Sequence, residues 1–96
     1  MLEVRQTEEF SSWLRRLRDT NAAARILARI RRVELGNLGD SKSLGGGLME
    51  MRIDYGPGYR VYYVRRGAEI VILLCAGDKR TQRRDIRRAR ELMERL

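Results

Sequence analysis

The stretch from Leu48 to Cys75 constrains the fold more than any other part of the chain. It holds three segments, LMEMRID (48–54), YRVYYVRR (59–66) and EIVILLC (69–75), parted only by YGPG (55–58) and Gly67-Ala68. Met49, Met51 and Ile53 alternate with Leu48, Glu50, Arg52 and Asp54, which is the period of a strand. A parallel crossover needs roughly a dozen residues, so these short links imply successive antiparallel strands. The unbroken apolar run of EIVILLC suits a strand inside the sheet. A three-residue loop, Gly56-Pro57-Gly58, would set Ile53 opposite Val61, Arg52 opposite Tyr62 and Asp54 opposite Arg60. That register leaves one apolar face and one face bearing Glu50, Arg52, Arg60 and Tyr62. Its plainest reading is a solvated outer face with an Asp54–Arg60 ion pair.

The flanks supply helices. Residues 2–6, LEVRQ, alternate as a short strand. Thr7 can cap a helix whose first turn holds Glu8 and Glu9, where carboxylates suit the helix dipole. Phe10, Trp13, Leu14 and Leu17 then share one face. Asp19-Thr20-Asn21 end that helix and can cap a second, from about Ala22 to Leu35, with Ile26, Leu27, Ile30 and Val33 inward and Arg25, Arg29 and Arg32 on the other side. Residues 36–47, GNLGDSKSLGGG, read as a loop by composition, and so do residues 76–80. From Thr81 the chain is helical again, with Ile86, Ala89, Leu92 or Met93, and Leu96 in one stripe. The expected fold is α+β, in the order β-α-α-β-β-β-α. It is a small antiparallel sheet with an αα-hairpin and its other helix on one face. The 96 residues, taken as residues 1–96 in one domain, show no internal repeat.

Charge and composition narrow the function. The net charge is +8, and 19 of the 21 basic residues are arginine. Arginine's planar fork pairs two oxygens of a phosphate at once, so the surface favours phosphate polymers or an acidic partner. There is no histidine, which removes His-based catalysis and His-based metal sites. The single cysteine, Cys75, lies in the apolar run and suits a buried, inert thiol. No stretch has the length and apolarity of a membrane span or leader, so the expected location is the cytoplasm.

Two strings carry a family resemblance: MEMRIDYGPGYRVYYV (49–64) and GDKRTQRRDIRRA (77–89). Together with GNLGDSKSLGGG and the order of elements, they resemble the HigB-like "addiction module killer" branch of the RelE/ParE toxins. The matching positions are Glu50, Arg52, Gly56, Gly58, Tyr59, Arg60 and Tyr62, then Gly77, Asp78, Lys79, Gln82, Asp85 and Ile86. Ala76 departs from the pattern, which has a second glycine there. The resemblance implies a type II toxin that cuts ribosome-bound mRNA without a metal or other cofactor. It also implies a cognate antitoxin, typically a helix-turn-helix protein, through which the pair reaches its own operator DNA. Reactive basic residues carried over by position fall on Arg52, Arg60, Lys79 and the Asp85 region. RelE has a tyrosine at the position of Asp85 and a lysine at that of Glu50.

Metal-free RNA cleavage activates a 2′-hydroxyl against the adjacent phosphate. It needs a proton acceptor, a proton donor for the leaving 5′-oxygen, and cations for the pentacovalent phosphate. Arg52 and Arg60 suit the phosphate. Arginine is a poor base, which leaves Glu50 and Asp85 as acceptors and Lys79 as acid, or as base if the arginines depress it. Tyr62, Gln82, Arg84 and Arg88 are expected RNA contacts, and the arginine-rich last helix is expected to meet both ribosomal RNA and antitoxin. Two other functions share the fold: a ParE-like inhibitor of DNA gyrase, and an RNA-binding module without catalysis.

Overall fold

The computed structural model describes residues 1–96. Its elements run β1 (Glu3–Gln6), α1 (Glu8–Arg16), α2 (Thr20–Glu34), β2 (Ser41–Gly45), β3 (Leu48–Ile53), β4 (Tyr59–Arg66), β5 (Ile70–Asp78), a 3-10 turn (Lys79–Thr81) and α3 (Gln82–Glu94). The helix starts follow from their caps. Thr7 accepts from the Phe10 amide at 3.1 Å. Asp19 Oδ1 accepts from the amides of Asn21 and Ala22, which starts α2 two residues before the expected Ala22.

The architecture is α+β, with a five-stranded sheet in the order β1-β5-β4-β3-β2. The sheet is mixed, because β1 pairs parallel with β5 and the other pairs are antiparallel. Part of the 36–47 segment, expected as loop, is the edge strand β2. The two-residue link Gly46-Gly47 has φ of 64° and 91°, the left-handed pair that a tight primed turn requires. Strand β5 also continues through Ala76 and Gly77 to Asp78, three residues beyond the expected end.

The β3–β4 register differs from the expected one by two residues. Ile53 pairs with Tyr59, Arg52 with Arg60, Met51 with Val61 and Glu50 with Tyr62. Residues 54–58 form the loop. Tyr55 is held outside the ladder, where its hydroxyl donates to Asp19 at 3.1 Å and Arg25 stacks 4.6 Å from the ring centre. A shift of two keeps every side chain on its expected face, so the apolar pattern accommodates both loops.

Both faces of the sheet are covered. On one, α1 and α2 bury Phe10, Ile26 and Val33 against Met51, Val61, Tyr63, Val71 and Leu73. On the other, α3 sets Ala89, Ile86 and Met93 against Leu48, Tyr62, Val64 and Leu74. The three helices therefore do not share one face. The face that carries Glu50 and Tyr62 is no solvated surface, because both residues are fully buried beneath α3. Consecutive burial of Tyr62 and Tyr63 records the two layers directly.

Two contacts seat α3. Arg88 forks onto Glu9 of α1 at 2.7 Å and also reaches Glu91 at 3.2 Å. The hydrogen bonds from Arg88 hold the Glu9 carboxyl below the usual carboxylate range. At the helix start, Thr81 donates to the buried Asp85 carboxylate at 2.5 Å. A methyl group added at Gly77 would overlap that same carboxylate oxygen and come within 2.7 Å of Thr81 Oγ1. We therefore expect Gly77→Ala to lower stability by about 1–3 kcal/mol through overpacking, read as a lower urea midpoint at unchanged slope. An unshifted midpoint would show that the Asp85 seat yields freely.

Candidate active site

The turn end of the β3–β4 hairpin forms a cleft of about 570 Å³. Its walls bring together Arg52, Arg60 and Lys79 with Asp40, Asp54 and Tyr59. Three of the side chains singled out in the sequence thus meet at one place, supplied by β3, β4 and the turn after β5. Gly58, with φ of +81°, lies against Lys79, and a methyl group there would come within 3.6 Å of the Lys79 Cβ.

Arg52 and Arg60 stand directly opposite each other across the ladder. Like charges so placed repel, and each is compensated separately. Arg52 donates from Nη2 to Asp40 Oδ1 at 2.9 Å, with its side chain 42% exposed. Arg60, only 13% exposed, donates from Nη1 to Glu50 Oε1 at 3.2 Å. The other Glu50 oxygen accepts from Gln82 Nε2 at 2.7 Å. Glu50 therefore lies behind the cleft floor with both oxygens engaged, and Gln82 holds it from α3. Burial, reinforced by the Glu50 charge, pushes the neighbouring Tyr62 phenol well above its ordinary range. The Tyr62 hydroxyl has no hydrogen-bond partner.

The remaining sequence candidates sit apart from the cleft. Asp85 is 7% exposed and belongs to the α3 seat, with the Arg84 Nε at 3.6 Å. Arg84 and Arg88 line a separate groove of about 440 Å³ between α1 and α3, where Arg88 is occupied by Glu9 and Glu91. Arg90 is bound to the carbonyls of Leu44 and Gly45. Cys75 is buried, and burial pushes its thiol up to about 12, which leaves it unreactive at neutral pH.

Two carboxylates of the cleft, Asp40 and Asp54, are not among the site residues expected from the sequence. Asp40 lies in the segment read as loop, and nothing local ties it to Arg52. Asp54 was expected to pair with Arg60. The observed register gives Arg60 to Glu50 instead, and Asp54 is left exposed at the cleft with no ion pair. Of the two carboxylates that line the cleft, it is the one without a cation partner.

Arg29 braces this arrangement from α2. Its guanidinium donates to the Arg52 carbonyl at 2.6 Å and to the Leu38 carbonyl at 3.3 Å. The Arg52 amide in turn donates to the Asp40 carbonyl at 2.8 Å. Burial lowers the Arg29 pKa from its ordinary value.

Comparison with known proteins adds the lineage. Residues 12–94 match the family described as phage-derived protein Gp49-like. The chain is also 47% identical, over 95 residues, to an uncharacterized protein of Haemophilus influenzae; the match spans 99% of this chain and 96% of that one. With a family match over most of its length and a relative this similar end to end, the chain belongs to the Gp49-like phage-derived family, a family of addiction-module toxins related to the RelE/HigB type.

Proposed function

We propose that the protein is the toxin of a type II toxin–antitoxin pair and that it cleaves mRNA on the ribosome at the Arg52–Arg60–Lys79 cleft. The observation that carries this reading is the convergence of three cations and one unpaired carboxylate in an open cleft. The Arg52 and Arg60 guanidiniums stabilise the charge that grows on the attacked phosphate. Asp54 takes the proton from the 2′-hydroxyl, whose oxygen bonds to phosphorus as the bond to the 5′-oxygen breaks. Lys79 gives a proton to that leaving oxygen. The products are a 2′,3′-cyclic phosphate and a free 5′-hydroxyl, with no outside reactant needed. In this scheme Glu50 and Gln82 are positioning residues that act through Arg60. The cognate antitoxin, of helix-turn-helix type, silences the toxin and carries it to operator DNA.

The test is single-turnover cleavage of mRNA on programmed ribosomes. Arg52→Ala and Lys79→Ala should each slow cleavage by about 100- to 1000-fold. Asp54→Asn should do so by about 100- to 10,000-fold. All three sites are at least partly exposed, so the variants should keep the wild-type melting curve. Folded variants that cleave at the wild-type rate would remove the cleft from the reaction.

A further inference from the structure

We infer that RNA leaving the cleft runs across the outer face of α2, where its phosphates meet the exposed Arg25 and Arg32, with the braced Arg29 adding its charge between them. This rests on the RNA-cleavage reading above and names the surface that reading lacks. Two routes lead out of the cleft. One passes Tyr59 toward the groove between α1 and α3. The other passes Ile53 and Asp54, which the cleft shares with a depression of about 320 Å³ on α2.

The routes differ in how their cations are spent. Along the α1–α3 route, Arg80 is paired with Asp78, Arg84 lies beside Asp85 and Arg88 is held by Glu9 and Glu91; Arg16 and Arg87 make no ion pair, but they share the groove with three acids, Glu9, Asp85 and Glu91. On α2 the only carboxylate is Glu34, and Arg31 takes it at 3.3 Å. Arg25, Arg29 and Arg32 make no ion pair, and Asp54 is the only acid lining their depression. Arg25 rests on the Tyr55 ring, a contact that keeps its full charge. Burial lowers the Arg29 pKa most, and the charge of Arg32 adds to it; a phosphate at this face would be attracted by both cations. Ala28, exposed between the arginines, leaves room for a sugar–phosphate backbone to approach closely. Spacings of four and three residues put the three arginines along one helix face.

An uncleavable probe tests this. A short, fully 2′-O-methylated RNA with a fluorescent end label is titrated by anisotropy over a series of salt concentrations. It is tested against wild type, Arg25→Gln with Arg32→Gln, and an α3 control, Arg83→Gln with Arg87→Gln. Arg29 is left alone because it braces Arg52. All four substituted residues are exposed, and matching thermal melts confirm the folds. Two lost phosphate contacts at about 0.7 each should flatten the slope of log affinity against log salt by about 1.4 in the α2 pair. The α3 pair should keep the wild-type slope. A wild-type slope in the α2 pair would overturn the inference while leaving the cleft reading intact, as it would if that face meets an acidic protein instead. Flattening in the α3 pair alone would assign the RNA to the other route. No binding by the wild type would remove both the inference and the RNA reading beneath it.

Discussion

Arg60→Ala should cost about 3–5 kcal/mol of stability, because it leaves the Glu50 carboxylate charged, fully buried and without its cation. For a domain of this size that is a large share of the whole. At about 4–8 °C per kcal/mol, the midpoint of thermal unfolding should fall by roughly 12–40 °C. A solvated outer face, as the alternation in β3 and β4 suggests, would make the same substitution harmless to the fold. The two expectations separate cleanly in a thermal melt. Adding Glu50→Gln to Arg60→Ala removes the stranded charge, so the double variant should regain much of the lost stability. It should not regain cleavage, since the phosphate loses a guanidinium either way. Arg60→Ala that melts with the wild type, with no gain from the second change, would contradict the buried pair. A double variant that folds and cuts at the wild-type rate would instead remove Arg60 from the chemistry.

The second large effect concerns the ribosome. In the proposed scheme only Asp54 and Lys79 are available for proton transfer, since Glu50 and Asp85 are buried and the chain has no histidine. The cleft is open on one side, with nothing to fix a flexible RNA in line for attack. A partner that holds the RNA in a near-attack geometry supplies what this surface lacks, and such positioning is worth several orders of magnitude. We expect ribosome-bound mRNA to be cut at least about 1000-fold faster than the same RNA free in solution. Equal rates on the two substrates, with protein shown free of ribosomes, would mean that the cleft is self-sufficient.

Local signals served the sequence reading well where one interaction decides the outcome. Thr7 and Asp19 cap their helices because a side-chain oxygen within three residues is all a cap requires. Strands β3 and β4 stood out because their alternation reflects a buried face. The edge strand β2 did not, since Ser41, Lys42 and Ser43 bury little and so carry no apolar pattern. The Gly46-Gly47 turn was the one available signal for it. Register was ambiguous for a different reason: loops of three and five residues preserve the same faces. The choice was made by Tyr55, Asp19 and Arg25, which meet only in the folded chain. Arg52 and Arg60 share one face in either register, but the cross-strand partner of each differs from the expected one. The apolar stripe of α3 showed that it would be buried but not against which side of the sheet. The run Tyr62-Tyr63-Val64 held that information, because three successive buried positions need cover on both faces.

The central claim is RNA cleavage at this cleft, against inhibition of gyrase by the same fold. Mapping mRNA 5′ ends across the transcriptome shortly after induction tests it most directly. Wild type should produce new ends inside translated regions, in register with codons, and Lys79→Ala with Arg52→Ala at equal expression should produce none. Intact mRNA in growth-arrested cells, together with gyrase-dependent breaks in the chromosome, would contradict the account and make the cleft a protein-binding surface.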